Sequence, residues 1–413
     1  MAFDLPLWRQ GDFRRLWAAQ AVSDFGARIT RDGLPMMAVL ALAASPAQLG
    51  LLAALAGAPA LLVGLSAGGL VDRSRRRTIL IGADLVRAAV LITLPLAAWL
   101  RVLGLGQVFA AAALVAAASA LFDIADHAYL PSLVGRDRLT EANARISATE
   151  SIAEMGGPAL AGLLFQWLTA PFAVAVNAAT YLVSAAFLAR IASRESLPEP
   201  PRRARRWLDG VRTGAAAAWR EPVVRPLLVL AAGSGLFGGI FSALYIVFAL
   251  RTLGLAPALL GITIATGGVG ALAGSLMAQP LARAIGTGPA ILASALAAAA
   301  STLLIAFSPP GILPAMTSLI AAQLLGDSFG VVTLILAVSL RQSRLPGELL
   351  GRTGAAFQAA AGAAAVAGAL AGGLLGQALG VRTALFVAAI GLGIAPTLGC
   401  FSPLSRLRKI SGT

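Results

Sequence analysis

Twelve apolar runs follow one another along the chain with little polar sequence between them, near 16–41, 48–71, 79–100, 106–126, 147–169, 171–190, 226–250, 258–282, 289–308, 313–340, 354–379 and 383–402. Runs of roughly 20 residues match the hydrocarbon thickness of a bilayer when helical, whereas barrel strands would be nearer 10 residues and would alternate. Composition agrees. Apolar residues make up 58% of the 413 positions, charged residues 12%, and mean hydropathy is +0.84. Soluble domains carry about 25% charge, so this chain could not cover a water-facing surface. The expected fold is all-α and integral to a membrane. Soluble enzymes and nucleic-acid-binding folds are excluded, despite a net charge of +14 that might suggest a polyanion partner.

Single residues narrow the chemistry further. Cys400 stands alone, so no intramolecular disulfide is expected. His127 is the one histidine, and no metal site is expected around it. Lys409, the one lysine, lies at the tail, which leaves no GxxxxGK phosphate loop and no expectation of direct ATP use. Asp4, Trp8, Arg9 and Asp12 precede the first long apolar run, which is not the pattern of a cleaved signal peptide.

The segment 191–225, with Pro198-Glu-Pro-Pro-Arg-Arg-Ala-Arg-Arg206 inside it, separates two sets of six runs. The expected organisation is a six-helix bundle over 1–190, a basic cytoplasmic linker over 191–225, and a second six-helix bundle with a short tail over 226–413. If the N-terminus is cytoplasmic, cytoplasmic ends and loops carry 26 basic residues against three (Arg101, Arg251, Arg382) on the other side. The positive-inside rule therefore puts both termini in the cytoplasm. The halves also echo each other. Pro46-Ala-Gln-Leu-Gly50 recurs as Pro257-Ala-Leu-Leu-Gly261, and Val134-Gly-Arg-Asp-Arg-Leu139 as Arg344-Leu-Pro-Gly-Glu-Leu349. An even number of helices per half makes this a parallel repeat about an axis normal to the membrane, an architecture in which substrate binds at the midplane between halves.

Between the second and third runs stands Gly68-Gly-Leu-Val-Asp72-Arg73-Ser-Arg75-Arg76-Arg77. It resembles the G-x-L-x-D-R-x-G-R-R/K signature of the major facilitator superfamily, with Arg75 where the family usually has glycine. The second copy is degenerate, with Arg283 for the aspartate and Gly286-Thr-Gly288 for the arginines; a decayed second copy is common in drug-exporting members. The segments Pro131-Ser-Leu-Val, Leu139-Thr-Glu-Ala-Asn143, Gly157-Pro158-Ala-Leu-Ala-Gly162 and Pro346-Gly-Glu-Leu-Leu-Gly351-Arg352 are similar to a subgroup that includes macrolide and siderophore exporters. The resemblance implies a twelve-helix facilitator fold in a bacterial inner membrane. It also implies a conformational latch built from Gly68, Asp72, Arg73, Arg76 and Arg77, which does not touch substrate. Its arginines can pair with Asp123 or Asp126, and Asp72 can face a helix N-terminus. A permanent structural tie is the alternative.

The first run carries the most informative charges. Asp24, Arg28, Arg31 and Asp32 fall at i, i+4, i+7 and i+8, within a sector of about 100°, and Gln20 continues the stripe. If the helix enters near Leu16, Asp24 lies about 12 Å deep. Ionisable groups at that depth cost about 3 kcal/mol each on insertion scales and should face a polar cavity or each other. Two readings stay open: a self-neutralised network in which Arg28 pairs with Asp24 and Asp32, or one wall of a central cavity with Asp24 as proton carrier. Glu150 and Glu154 lie at i, i+4 in the fifth run, just before Gly156-Gly157-Pro158-Ala-Leu-Ala161-Gly162. That stretch partly matches the family's antiporter motif. Its small residues permit close helix approach and Pro158 a kink. Glu154 is the deeper acid. Asp327 sits mid-helix in the tenth run with no partner nearby in sequence, and is a candidate for proton coupling or substrate contact, with a fixed interhelical pair as the alternative. The Ala/Gly-rich eleventh run, with Gly362, Gly368, Gly372, Gly373 and Gly376, reads as a close-packing surface. Asp84 and Arg87 read as a structural pair, and Phe237, Phe241 and Tyr245 as a lipid- or core-facing stripe.

The expectation is a secondary transporter, not an enzyme, that exports an amphipathic small molecule in exchange for protons by alternating access. It needs no cofactor beyond the proton gradient, and its partners are the small-molecule substrate, protons and the lipid bilayer, with no nucleic acid. Twelve helices suffice for a complete monomeric transporter. One alternative is a proton symporter that imports an anionic metabolite gripped by Arg28 and Arg31. Another is a non-transporting receptor.

Overall fold

The computed structural model describes residues 7–71, 73–193, 195 and 207–408. Among these, twelve long helices succeed one another: α1 Gly11–Leu40, α2 Pro46–Ser66, α3 Arg76–Trp99, α4 Leu105–Val134, α5 Leu139–Trp167, α6 Ala170–Ala189, α7 Arg225–Val247, α8 Pro257–Ile285, α9 Thr287–Ala306, α10 Ile312–Arg344, α11 Gly347–Leu379 and α12 Val381–Cys400. A π turn, Phe248–Thr252, extends α7. Ten of the helices are long and apolar enough to cross a membrane. The two that fall short are α1 and α5, the same two that carry the candidate charges. Each lowers its own hydropathy with acids and arginines that need a polar partner inside the bilayer.

The chain divides into two compact units, Met1–Ala43 with Ala58–Ala204, and Ala44–Gly57 with Arg205–Thr413. The second unit differs from the division at 190 and 225 in two ways. The first turns of α2 group with the C-terminal helices, and the segment read as linker contains a helix, Trp207–Arg220, packed on α11. The reasons are local. Gly50 faces the Ala369 carbonyl and the Gly373 Cα of α11, leaving no room for a side chain on either helix. Gly214 of the linker helix lies directly on the Arg352–Thr353 backbone.

In the first unit, α6 packs on both α1 and α3, and α1 also packs on α5. Gly26 of α1 lies against Asn177 and Thr180 of α6, and the Asn177 amide donates to the Thr30 hydroxyl. The Trp17 indole N–H donates to Thr149 Oγ1 at 2.9 Å, tying α1 to α5. A core of Phe13, Leu16, Val71, Leu80, Phe122, Tyr129 and Leu188 closes the arginine-rich end of the bundle.

In the second unit, α7 and α11 pack through paired small residues. Gly235 and Gly239 sit over Ala361 and Ala365, and Gly368 and Gly372 over Leu236 and Ile240. Spacing of four puts each pair on one helix face, and without hydrophobic drive between helices in lipid, backbone proximity supplies the packing energy. The glycine-rich run is therefore the packing surface its sequence suggests. A Cβ on Gly368 would overlap the Leu236 carbonyl oxygen. Gly368→Ala should accordingly lower thermal stability in detergent by about 1–3 kcal/mol, whereas Gly351→Ala, where a Cβ meets open space on the same helix, should be near neutral. Equal melting curves for the two variants would contradict the packing. Similarly, Gly267, Gly270 and Gly274 of α8 lie against α10, where the Ser328 hydroxyl donates to the Gly270 carbonyl at 2.8 Å.

Large apolar side chains remain outward on the spanning helices: Leu62, Trp99, Leu114, Leu276, Leu313 and Leu374 are each more than half exposed. A protein in water does not leave such a surface bare. It is the surface that lipid tails cover.

Candidate functional site

The charges of α1 divide into two groups at successive depths. Toward the centre of the helix, Arg28 forms an ion pair with Glu154 of α5, and Arg31 reaches the same carboxylate at 3.3 Å. Arg31 also lies 3.7 Å from Asp32, whose second carboxylate oxygen is buried without a hydrogen bond. One glutamate thus bridges two arginines one turn apart, which is what the i, i+3 spacing of Arg28 and Arg31 makes possible. Arg28 can lie so close to α5 because position 157 is glycine: a Cβ there would stand 2.6 Å from the Arg28 Cβ. Gly157, Pro158 and Gly162 are all buried, and at Gly157 the missing side chain lets the two helices approach. Arg28 does not close on Asp24 and Asp32 of its own helix, as the self-neutralised reading has it. Its partner comes from α5.

One turn closer to the arginine-rich end, Asp24 makes no ion pair or hydrogen bond among the described residues. The charges that bear on it are Glu150 of α5, Asp126 and Asp123 of α4, and its neighbour Arg28. Gln20 donates its amide to both oxygens of Asp126, at 2.5 and 2.6 Å, leaving its own buried carbonyl oxygen without a donor. His127 is directed back to its own helix, with Nδ1 2.7 Å from the Asp123 carbonyl oxygen. The first unit therefore holds a cluster of acceptors, Asp24, Asp123, Asp126, Glu150 and the Gln20 carbonyl, beside a bridge that has already consumed both nearby arginines.

The arginine-rich turn differs from the expected latch geometry. Asp72 lies outside the described residues. Arg76 and Arg77, at the start of α3, turn away from Asp123 and Asp126. Their backbone N–H groups donate to the two oxygens of Glu195, at 2.9 and 3.1 Å, and the Arg77 guanidinium donates to the Leu188 carbonyl at 2.9 Å and to that of Ala189. Arg73 is exposed, and Gly68 opens a single helical turn, Gly68–Val71. The physical reason is end chemistry. The start of α3 offers unpaired N–H groups and the end of α6 unpaired carbonyls, so the carboxylate of Glu195 and the guanidinium of Arg77 satisfy both, and Asp126 is left to Gln20.

A family profile described as transmembrane secretion effector matches residues 4–411. The chain belongs to this major facilitator family. An uncharacterized MFS-type transporter, YfiS of Bacillus subtilis (strain 168), is 27% identical over 377 residues, covering 86% of this chain and 84% of the relative. Macrolide efflux protein A of Streptococcus pyogenes is 32% identical over 156 residues, 37% of this chain and 38% of that protein. Two solved folds align over nearly all of both chains. A bacterial homologue of the iron transporter ferroportin, in an inward-facing state, has TM-score 0.76 at 16% identity, covering 96% of this chain and 99% of its own. The nucleoside transporter NupG has TM-score 0.78 at 12% identity, covering 94% and 98%. The chain is thus a multi-pass membrane transporter.

Two further acids have different settings. Asp327 of α10 is seated against Gly267 of α8, where any side chain would displace it, with Gln323 beside it. It makes an interaction of its own, so the carboxylate without a partner in sequence is in contact once α8 and α10 are packed. Asp84 pairs with Arg87 within α3, both buried, and the Arg87 guanidinium lies between the rings of Phe122 and Tyr181. The aromatic stripe of α7 is likewise internal: Phe241 stacks on Tyr245, and Phe237 fills the space over Gly391.

Glu195 is the residue that sequence reading passed over, because it sits in a charge run that looks like solvated linker. Its side chain is 5% exposed. It has a counterpart in Asp12, which accepts from the Ala192 and Ser193 amides and from Arg15. Burial alone would raise the Asp12 carboxyl, but those donors together hold it below its ordinary value. Its contribution is therefore complete above the ordinary carboxylate range and is lost only as pH falls through the lowered value. Removing the helix-start acceptor with Glu195→Ala should cost about 1–2 kcal/mol of stability, read as an earlier melt in detergent, with Glu195→Gln recovering part of it. An unchanged melt would show that the carboxylate does not hold α3 to the end of α6.

Proposed function

We propose that this transporter exports an amphipathic small molecule from the cytoplasm in exchange for protons, with Asp24 of α1 as the proton carrier. The observation that carries the reading is the setting of Asp24, a carboxylate well inside a spanning helix, facing other carboxylates, while the adjacent arginines are held by Glu154. The charge of such a group can be cancelled by a proton or by a cationic group on a substrate, but not by both at once. Mutual exclusion at one carboxylate is the elementary form of antiport. In this account substrate arriving at the cluster displaces the proton, and reprotonation from the far side resets the cycle by alternating access.

The arginine distribution supports a cytoplasmic location for both termini, and with it an inner-membrane exporter acting outward from the cytoplasm. The 32% identity to a macrolide efflux protein over part of the chain supports outward movement of a bulky amphipathic compound. Import of an anionic metabolite requires Arg28 and Arg31 to be available to it, and the shared bridge to Glu154 weighs against that.

The test is accumulation of fluorescent dyes and macrolides in efflux-deficient bacteria that express the chain. Lower accumulation than in control cells, restored by an uncoupler, is the expected result. Accumulation unchanged by expression for every amphipathic compound, with the protein confirmed in the membrane, would reject export of this substrate class.

A further inference from the structure

The second unit gathers six arginines at one end: Arg212 and Arg220 on the linker helix, Arg225 at the start of α7, Arg341 and Arg344 at the end of α10, and Arg352 at the start of α11. Among the described residues none of the six has an ion pair. Ion pairs to carboxylates are instead found in the first unit, at Arg15, Arg28, Arg31, Arg76, Arg87 and Arg145. Two of the six pack on aromatic rings. Arg341 lies over the Phe357 ring at 4.7 Å, and Arg225 over the Trp219 ring at 5.7 Å. The Nε groups of Arg341 and Arg344 are buried and unbonded, so the guanidinium groups are anchored by their stems and present unused donors.

Depth decides what can meet them. α10 and α11 each have 33 residues, about 50 Å of helix at 1.5 Å per residue, against a hydrocarbon core of about 30 Å. Their ends therefore stand in the headgroup layer. The linker helix is amphipathic in the sense such a layer requires. Gly214 and Ala218 are buried against α11, while Leu208 and Trp219 are more than half exposed beside the exposed Arg212 and Arg220. Tryptophan with arginine at an exposed helix face is the pattern of residues that sit at the membrane–water interface. Guanidinium matches phosphate oxygens two donors at a time.

We propose that this end of the second unit is a binding surface for anionic phospholipid headgroups, with Arg212, Arg220 and Arg225 supplying the phosphate contacts and Trp219 inserted at the interface. The linker helix then holds α7 and α11 to the lipid surface as well as to each other. Juxtamembrane arginines each strengthen attraction to an anionic surface by several-fold, so three of them together should give about a tenfold or greater preference for anionic over zwitterionic lipid.

The experiment uses the full chain in nanodiscs that contain brominated phosphatidylglycerol or brominated phosphatidylcholine in an otherwise identical zwitterionic bilayer. Quenching is read as the difference between wild type and Trp219→Phe, which isolates this tryptophan from the others. The expected result is stronger quenching by brominated phosphatidylglycerol, an excess removed by 1 M salt, lost in Arg212→Gln/Arg220→Gln/Arg225→Gln and partly kept in the triple lysine variant, which retains the charge but not the two-donor geometry. Equal quenching by the two lipids in the wild type would overturn the proposal. So would a preference that survives in the glutamine variant. If that variant fails to fold, the wild-type lipid comparison and its salt dependence still decide. None of these readouts uses transport, so the outcome is independent of the proposed export.

Discussion

Asp24→Asn is expected to abolish uncoupler-sensitive export while leaving a folded, membrane-inserted protein, and Asp24→Glu is expected to keep part of the activity. Asparagine preserves the shape of the side chain but can neither release a proton nor neutralise a cation, so it removes both arms of the exchange. With neither arm of the exchange left, proton-driven flux should fall tenfold or more. Asp327→Asn is the informative companion, because Asp327 already has an interaction in the α8–α10 contact. It should impair folding or rate while leaving residual transport uncoupler-sensitive. If Asp24→Asn exports normally, and the residual flux of Asp327→Asn no longer responds to an uncoupler, the two acids have exchanged roles.

The largest stability effect is expected at Asp84. Its side chain is fully buried and that of Arg87 only 3% exposed. Asp84→Ala would strand a guanidinium between two aromatic rings, where removing one partner of a buried pair costs about 3–5 kcal/mol. Asp84→Leu with Arg87→Met should recover most of that loss, since replacing both charges with apolar groups of similar volume is often neutral. The measure is the thermal shift in detergent of each single variant and of the pair. A double variant no more stable than the worse single would show that the ion pair is not the source of the effect.

Twelve long helices were legible in the sequence, and ten of them are written in hydropathy, which depends only on each residue's own side chain. The pairing of Asp84 with Arg87 was legible for a similar reason, since i, i+3 neighbours on a helix meet whatever the tertiary fold. The partner of Arg28 was not. Asp24 and Asp32 flank it in sequence, but the acid it meets is Glu154, brought near by the missing side chain at Gly157. Glu154 and Gly157 were each recognisable, and only packing joins them to α1. The latch arginines show the converse error. Charge complementarity pointed to Asp123 and Asp126, but the unsatisfied ends of α3 and α6 claimed Arg76 and Arg77 first, through Glu195 and the Leu188 carbonyl. Helix-end satisfaction outranks a surface ion pair, because a buried orphan amide or carbonyl costs more than an exposed pair returns. The helix Trp207–Arg220 was hidden by its neighbours, since Pro and Arg on its N-terminal side make the whole stretch look like linker.

The central claim is that substrate and proton exchange at Asp24. Its most direct test is internal pH in proteoliposomes that contain only the purified chain and a compound identified in the accumulation screen. With the vesicle interior acidic, adding substrate outside should drive substrate inward and alkalinise the interior at a rate that follows substrate concentration, and Asp24→Asn should show neither. Substrate uptake with no accompanying pH change, equal in wild type and Asp24→Asn, would contradict it.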